Sequence, residues 1–337
     1  MEPVPGPSTV RVVFARPRFT RDLTWDALAT LLPGWEVETC APADLAASVD
    51  GADVICPLAA RIDRRVIEAG TFGLVQQYGV GLDRVDVAAA TDHGVWVARI
   101  PGELSGNADS VAEIALLQLL ALARNLDETR AVLREGRWAD RTGGRSLSGA
   151  TVLLVGLGAI GTAVARRLAA FGARLLAVRA HPALGGPEEV AEVAGPERLH
   201  DLLRRADAVV CSAMFGPETA DMFDAAAFAA MKPGALFVNV ARGGLVDEAA
   251  LLAALESGQV GGAGLDVFAH EPPDPDAPLP RHPRVVATPH VGGVTDVMFR
   301  RTAELFAGNL QRWAAGETPR WAVNDGHARR AGRPRPR

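Results

Sequence analysis

The sequence predicts an α/β protein made of two domains, each built around a doubly wound parallel sheet. Short β-branched segments alternate with helical segments along both halves of the chain, which is typical of parallel sheets covered by helices on both faces. The length of 337 residues suits roughly two domains of about 150 residues, and the 48% hydrophobic content is ample for buried cores. A glycine-rich turn between a strand and a helix in the second half supports the same fold class.

The first half of the chain alternates strands and helices between residues 10 and 98, beginning with a β-α-β unit. Its predicted strands are residues 10–15, 35–39, 54–57, 73–78 and 95–98. Its predicted helices are residues 25–32, 64–69 and 86–92. Because strands and helices interleave, we expect the strands to pair in parallel.

A break at residues 101–107 separates this series from a second one. Ser110 and Glu113 have the S-x-x-E spacing of a helix capping box ahead of an apolar helix at 114–123. The second series of strands is predicted at residues 151–155, 174–178, 208–213, 235–239, 262–267 and 285–287. A helix at 302–314 and a loop at 316–324 would return the chain to the first domain.

The pattern therefore predicts two domains and a tail. The first domain is predicted to be discontinuous, comprising residues 1–104 and 297–325, and the second domain comprises residues 105–296. Residues 326–337 are rich in Arg, Pro and Gly and are expected to form a disordered basic tail.

Composition argues against several classes of partner. The 35 basic and 40 acidic residues leave a net charge of -5, which gives no electrostatic reason to bind nucleic acid or an anionic membrane. Three scattered cysteines do not form a disulfide framework, and the histidines lack metal-ligand spacing. The start of the chain does not read as a signal peptide, and no apolar run reaches about 18 residues. We expect a cytoplasmic protein without a metal.

Gly156, Gly158 and Gly161 form a G-x-G-x-x-G motif directly after an apolar run and before a helical pattern. This is the context of a dinucleotide-binding turn, and it predicts Rossmann-like domains. The first glycine permits the turn, the second lets a pyrophosphate approach, and the third allows close packing of the helix that begins with Ala159 and Ile160. The alternative is a glycine-rich turn with no ligand.

Arg179 stands where this motif normally has an acidic residue. An Asp or Glu about 20 residues after the first glycine usually holds the ribose 2′-hydroxyl. A guanidinium there, with His181 nearby, suits a 2′-phosphate instead. We therefore predict NADP(H) as the preferred cofactor and NAD(H) as the second candidate. The alternative is a solvated arginine in a protein that uses NAD.

Three polar residues further on stand in recognisable settings: Arg242 in NVARGG, Glu271 in DVFAHEP and His290 in TPHVGG. Together with the stretches YGVGLDRVD, NADSVAE and MKPGALFVN, they make the chain resemble the D-isomer-specific 2-hydroxyacid dehydrogenases. That family includes glyoxylate/hydroxypyruvate reductases and phosphoglycerate dehydrogenases. The resemblance covers roughly residues 50–325.

By this resemblance, Arg242 would hold the substrate carboxylate and carbonyl oxygen, His290 would be the general acid/base, and Glu271 would orient the imidazole. The residue types suit that chemistry: a planar guanidinium matches a carboxylate beside a carbonyl, and an imidazole titrates near neutral pH. Each residue alone has an ordinary surface role as its alternative. All three follow predicted strands of one sheet, at the edge where α/β folds place ligands.

The resemblance also assigns binding roles to residues that take no part in proton transfer. Asp266 would contact the nicotinamide amide, and Ala213 and Val240 would contact the cofactor. Val80 and Gly81 would offer backbone amides to the substrate carboxylate. The alternatives are a strand-end cap for Asp266 and an ordinary turn at Val80 and Gly81.

The implied function is an NAD(P)-dependent oxidoreductase that interconverts a small 2-oxoacid and its D-2-hydroxyacid. A glyoxylate/hydroxypyruvate-reductase-like enzyme is the preferred form, although Met214 replaces the usual proline of the family and leaves the substrate side chain open. The active site would lie in the cleft between the first (substrate) domain and the second (dinucleotide) domain. The resemblance further implies a homodimer, with Trp138 and residues 134–145 as a contact arm. A dinucleotide-sensing regulator or scaffold on the same fold is the alternative.

Overall fold

The computed structural model describes residues 9–16, 23–58, 60–138 and 143–326. Its chain divides into two compact units, Met1–Gly106 with Thr295–Arg337, and Asn107–Val294. The predicted boundaries fall after residue 104 and before residue 297. The basic tail proposed for residues 326–337 lies outside the described residues except for Gly326.

The first unit contains a five-stranded parallel sheet in the order β2-β1-β3-β4-β5. Its strands are β1 (Arg11–Ala15), β2 (Glu36–Cys40), β3 (Val54–Cys56), β4 (Leu74–Gln76) and β5 (Trp96–Ala98). Its helices are α1 (Leu23–Leu31), α2 (Leu45–Ser48), α3 (Arg64–Ala69), α4 (Val87–Asp92), α5 (Gly102–Ser105) and α13 (Asp296–Ala314), with a 3₁₀ turn at Pro42–Asp44.

Local sequence explains where the helices of this unit begin. Asp63 and Asp86 each accept a hydrogen bond from a backbone N–H three residues later, which caps α3 and α4. The two sheet faces bury separate cores. One of them contains Phe14, Tyr78 and Phe306 in edge-to-face and tilted ring contacts, which pack α13 against the sheet.

The second unit contains a seven-stranded parallel sheet in the order β12-β11-β10-β9-β6-β7-β8. Its strands are β6 (Thr151–Val155), β7 (Arg174–Val178), β8 (Val190–Ala194), β9 (Ala208–Cys211), β10 (Ala235–Asn239), β11 (Val260–Leu265) and β12 (Val285–Ala287). Its helices are α6 (Asn107–Ala123), α7 (Leu126–Arg134), α8 (Ala159–Ala170), α9 (Leu199–Leu203), α10 (Ala225–Ala230), α11 (Glu248–Ser257) and α12 (Pro278–Arg281), with 3₁₀ turns at Pro182–Leu184, Pro196–Arg198 and Gly243–Leu245.

Central strands of this sheet are apolar on both faces. Residues Ala208–Cys211 of β9 and Ala235–Asn239 of β10 are buried throughout, as expected for parallel strands covered by helices on each side. One face packs against α6 and α8, and the other against α9, α10 and α11. The predicted α/β class with two doubly wound parallel sheets is therefore confirmed.

Two local predictions differ from the structure. The capping box at Ser110 and Glu113 is wrong: α6 already begins at Asn107, and Ser110 is buried inside the helix. The break is made by Gly106, whose φ of 77° ends the short helix α5 and lets α6 start at once. Strand β8 was not predicted, because three residues of its sequence VAEVA, two Ala and one Glu, are uncommon in strands; it lies at the sheet edge.

Within the described residues, no helix combines the length and the apolar character needed to cross a membrane. The same residues contain no cluster of three or more His, Cys, Asp or Glu side chains arranged to hold a metal ion.

Candidate active site

The three predicted catalytic residues follow three neighbouring strands of the second unit. Arg242 lies after β10, Glu271 after β11 and His290 after β12. Because these strands are parallel, their carboxyl ends lie at one edge of the sheet, and the three side chains belong to loops at that edge.

His290 and Glu271 form a direct pair. Imidazole Nδ1 of His290 lies 2.8 Å from Oε2 of Glu271, while the backbone N–H of Phe268 donates to Oε1 at 3.2 Å. Burial raises the pKa of Glu271, but the hydrogen bond and charge of His290, the Phe268 N–H and the charge of Arg242 together hold this pKa below its usual value. The carboxylate is therefore ionised at neutral pH, and imidazole Nε2 is left for another partner.

The backbone of His290 adopts a conformation that non-glycine residues rarely use. Its φ is 53°, and its N–H donates to the carbonyl oxygens of Asp266 at 2.8 Å and Thr288 at 3.0 Å. A left-handed conformation at a residue with a side chain costs on the order of 1–3 kcal/mol and persists where the surrounding structure fixes it. The loop therefore imposes the direction in which this imidazole projects.

Asp266 supplies that surrounding structure. Its carboxylate is buried, with 2% of the residue exposed; Oδ1 accepts from Thr288 Oγ1 at 2.6 Å and Val291 N at 2.9 Å, and Oδ2 accepts from Gly292 N at 2.8 Å. Gln118 on α6 donates to Thr288 Oγ1 at 3.0 Å. Asp266 thus organises the loop that carries His290, and its contact with a nicotinamide amide stays a prediction.

The turn that carries Arg242 is shaped by a buried amide. Asn239 donates from Nδ2 to the carbonyl of Arg242 at 2.9 Å and accepts at Oδ1 from the N–H of Ala241 at 3.0 Å. At Gly243, an added Cβ would lie 1.9 Å from the carbonyl carbon of Phe268, so only glycine allows this approach. The Arg242 turn therefore packs directly on the loop that leads to Glu271.

The glycine-rich turn lies at the same edge, after β6. Gly156 has a φ of 98°, an added Cβ there would lie 2.5 Å from the N of Ala213, and Ser212 Oγ donates to its carbonyl at 3.0 Å. A Cβ on Gly161 would lie 2.1 Å from that same carbonyl oxygen. At Gly158 the space is open: an added Cβ would meet nothing within 4 Å.

This geometry fits a dinucleotide pyrophosphate. The exposed Gly158 and Ala159 open the twelve-residue helix α8, and the partly exposed Ile160 follows them. The free backbone N–H groups of such a helix start favour a phosphate anion. Val240 follows β10, two strands from β6; it is 5% exposed, and its N–H donates to the carbonyl of Cys211 at 3.2 Å.

Arg179 follows β7 at the same edge of the sheet and is partly exposed. Its Nη1 donates to the carbonyl of Gly185 at 2.6 Å, which holds the guanidinium in place. Among the described residues no carboxylate forms an ion pair with it. The guanidinium retains free N–H donors suited to an anion.

Val80 and Gly81 belong to the first unit, where they follow β4. The buried Gln77 donates from Nε2 to the carbonyls of Leu58 and Gly81, both at 2.8 Å, and so ties two loops at the end of that sheet. Both Val80 and Gly81 are partly exposed.

Sequence reasoning missed the residues that position the others: Gln118, Ser212, Asn239 and Thr288. Ser212 lies next to Ala213, and Asn239 and Thr288 lie within quoted motifs. Asn239 could have been found as a polar residue at the end of an apolar strand. Gln118 lies in the middle of an apolar helix, and its partner is 170 residues away in sequence, so no local pattern indicates it.

The sequence and fold of this chain are similar to those of known dinucleotide-binding proteins. Residues 116–292 match the family model for the NAD-binding domain of D-isomer-specific 2-hydroxyacid dehydrogenases. The chain is 43% identical over 287 residues to D-3-phosphoglycerate dehydrogenase of Mycobacterium tuberculosis, covering 84% of this chain and 53% of that protein. It therefore spans about half the length of that relative.

Two further relatives are matched over most of their length. A glyoxylate reductase of Korarchaeum cryptofilum is 37% identical over 269 residues, covering 78% of this chain and 80% of that one. The solved structure of an NADPH-dependent glyoxylate/hydroxypyruvate reductase from Sinorhizobium meliloti, in complex with NADP and malonate, is similar with a TM-score of 0.81 and 30% identity, covering 96% of this chain and 100% of that chain. The chain belongs to the D-isomer-specific 2-hydroxyacid dehydrogenase family.

Proposed function

We propose that this chain is an NAD(P)-dependent dehydrogenase that interconverts a small 2-oxoacid and its D-2-hydroxyacid. The observation that carries the proposal is the 2.8 Å pair of His290 and Glu271 beside Arg242, on the same sheet edge as the glycine-rich turn. This reaction needs a general acid/base, a group that binds the substrate carboxylate and a turn that binds the dinucleotide.

Each residue of the site has its own role in the proposed reaction. The guanidinium of Arg242 pairs with the substrate carboxylate and stabilises the carbonyl oxygen as negative charge develops on it. Protonated His290 holds a proton on Nε2 for that oxygen, while ionised Glu271 accepts from Nδ1 and fixes the ring. A bound dinucleotide supplies the hydride. Backbone amides at Val80 and Gly81 are proposed to bind the substrate carboxylate, and Asp266, Ala213 and Val240 to border the nicotinamide.

A glyoxylate- or hydroxypyruvate-like oxoacid is the proposed substrate. The chain covers 80% of the glyoxylate reductases of Korarchaeum cryptofilum and Thermofilum pendens, but 53% of the mycobacterial phosphoglycerate dehydrogenase. A similar solved reductase holds malonate, a small dicarboxylate. These two observations favour a small oxoacid without a phosphate group.

NADPH is the proposed cofactor. Arg179 has no carboxylate partner within the described ranges and follows β7, where the fingerprint places the residue that contacts the ribose. An arginine there binds a 2′-phosphate and lacks the acceptor that a 2′-hydroxyl needs.

A homodimer through the second unit is also proposed. Large apolar side chains are exposed on α6, on α7 and just after them, namely Leu117, Leu126, Leu133 and Trp138, of which Trp138 is 85% exposed. Large apolar side chains left exposed on two neighbouring helices mark a candidate protein interface. Residues 139–142 of the proposed contact arm lie outside the described residues. Light scattering tests this proposal, since a dimer has twice the chain mass.

A substrate panel tests the activity. Glyoxylate, hydroxypyruvate, pyruvate, a branched 2-oxoacid and 3-phosphohydroxypyruvate are each supplied with NADPH and with NADH, and cofactor oxidation is followed by absorbance. We expect turnover with glyoxylate or hydroxypyruvate. Cofactor binding without turnover of any oxoacid would favour a dinucleotide-sensing regulator.

A further inference from the structure

A basic groove lies at the amino-terminal edge of the seven-stranded sheet, opposite the candidate active site. It consists of two adjoining depressions of about 350 and 600 Å³ that share Arg204 and Lys232 in their walls. Thr151 and Arg174 also line it and are the first residues of β6 and β7, whereas Gly156 and Arg179 follow the last residues of the same strands. At about 3.3 Å per residue, these five-residue strands separate the two edges by roughly 16 Å.

The groove carries more positive charge than its own carboxylates neutralise. Lys232 Nζ lies 2.7 Å from Oδ1 of Asp207, whose Oδ2 accepts from the N–H of Thr151 at 2.8 Å. Arg205 makes two hydrogen bonds to Glu192, at 2.6 and 3.2 Å.

Arg174 and Arg204 complete the set of cations. Both are exposed, and in the part of the chain that the structure describes neither forms an ion pair. Four cations therefore line the groove. With Arg198, which pairs with both Glu192 and Asp201, five cations lie near three carboxylates, Glu192, Asp201 and Asp207, a surplus of two positive charges.

The larger depression adds an apolar floor beside these charges. It is lined by Ala226, Ala229 and Ala230 of α10, followed by Met231 and Pro233. Alanine side chains leave room above the helix, so a small organic group can lie on them while its charged end reaches Arg204 and Lys232. Guanidinium and ammonium groups placed together match the oxygens of a phosphate.

We propose that this basic groove binds a phosphate-bearing small molecule at a second site, separate from the dinucleotide and oxoacid sites. The proposal rests on the shared wall of Arg204 and Lys232, the two unpaired guanidinium groups and the apolar floor. It does not depend on the proposed function, since neither the catalytic residues nor the glycine-rich turn contributes to the groove.

Lys232 makes the test specific, because it is the only lysine in the sequence. Pyridoxal 5′-phosphate is the probe: its aldehyde condenses with the lysine amine with loss of water, and borohydride then reduces the imine to a stable secondary amine. Peptide mass spectrometry measures labelling at Lys232, and free Nα-acetyl-lysine in the same tube reports undirected labelling. We expect Lys232 to be labelled at least about tenfold faster than the free amine, the factor that one charge-assisted hydrogen bond supports.

Variants identify the phosphate contacts. The double variant Arg174→Ser/Arg204→Ser is expected to lose most of this enhancement, and the single variants part of it. Arg166→Ser removes an exposed arginine of α8 and Arg179→Asp removes the proposed 2′-phosphate contact; both are expected to label like the parent. Circular dichroism and the unfolding midpoint check that each variant is folded.

Competition identifies the ligand class. Inorganic phosphate is expected to protect Lys232 in the parent, and succinate at equal ionic strength is expected to protect it less. Equal labelling of the parent and the double variant, or absence of protection by phosphate, would overturn the proposal. Equal protection by succinate would overturn the assignment to phosphate and identify a general dianion site.

Discussion

Imidazole Nδ1 of His290 lies 2.8 Å from Oε2 of Glu271, and these two residues follow neighbouring parallel strands of one sheet. The strand order explains the contact although 19 residues separate the pair in the sequence. Burial raises the pKa of Glu271, but the hydrogen bond to His290 and the charges of His290 and Arg242 hold this pKa below its usual value. Glu271 therefore stays ionised throughout the neutral range and accepts a hydrogen bond from the imidazole.

Replacement of Glu271 by Gln is expected to reduce oxoacid turnover by less than about 10²-fold, a smaller loss than removal of the acid itself. The amide keeps a hydrogen bond to the ring but places no negative charge beside the imidazole that delivers the proton. Steady-state rates with the oxoacid at neutral pH measure the loss, and parental turnover by the variant would argue against an electrostatic role for Glu271.

Replacement of Arg242 by Lys is expected to lower kcat/KM for the oxoacid by roughly 10- to 100-fold, which corresponds to about 1.5–3 kcal/mol for a hydrogen bond to a charged group. An ammonium cannot reproduce the paired hydrogen bonds of the planar guanidinium. Dinucleotide affinity, measured by fluorescence titration, should stay near that of the parent. Near-parental kinetics with the oxoacid would show that Arg242 does not clamp the carboxylate.

Replacement of Arg179 by Asp is expected to reverse a preference for NADPH over NADH. In the parent the preference should be roughly 10- to 100-fold, nearer the lower value because the guanidinium is partly exposed. The new carboxylate would accept from the ribose 2′-hydroxyl and repel a 2′-phosphate. Parallel titrations with both cofactors measure the effect, which is expected in the KM of the cofactor rather than in kcat. Equal or better efficiency of the parent with NADH would show that Arg179 does not recognise the 2′-phosphate.

Replacement of Asp266 by Ala is expected to destabilise the second unit, because it leaves the Thr288 hydroxyl and the Val291 and Gly292 N–H groups without their acceptor. Gly292 is buried, whereas Thr288 and Val291 are partly exposed. A buried group left unsatisfied costs about 1–3 kcal/mol, so a loss in that range follows. Asp266→Asn keeps one acceptor oxygen and should lose less. Urea unfolding compares the three proteins, and an unchanged midpoint for Asp266→Ala would contradict this structural role.

The fold and the motif residues were predictable because local rules govern them. Strand and helix alternation follows from side-chain periodicity, and Gly156 and Gly243 are glycines because backbone lies where a Cβ would be. The supporting contacts were not predictable. Gln118 reaches Thr288 across the sheet face, and the left-handed φ of His290 depends on bonds to Asp266 and Thr288 that only the assembled loop provides. Tertiary contacts of this kind leave no periodic signal in sequence.

Delivery of the proton by His290 during reduction of a 2-oxoacid is tested by comparing the parent with one variant. Cofactor oxidation with the best oxoacid is measured for the parent and for His290→Gln, with NADPH binding titrated in both. We expect turnover by the parent, a loss of about 10²- to 10⁴-fold in the variant, and unchanged NADPH affinity, since only general acid/base catalysis is removed. A variant within about twofold of the parent, or a parent that binds NADPH and reduces no oxoacid, would contradict this expectation.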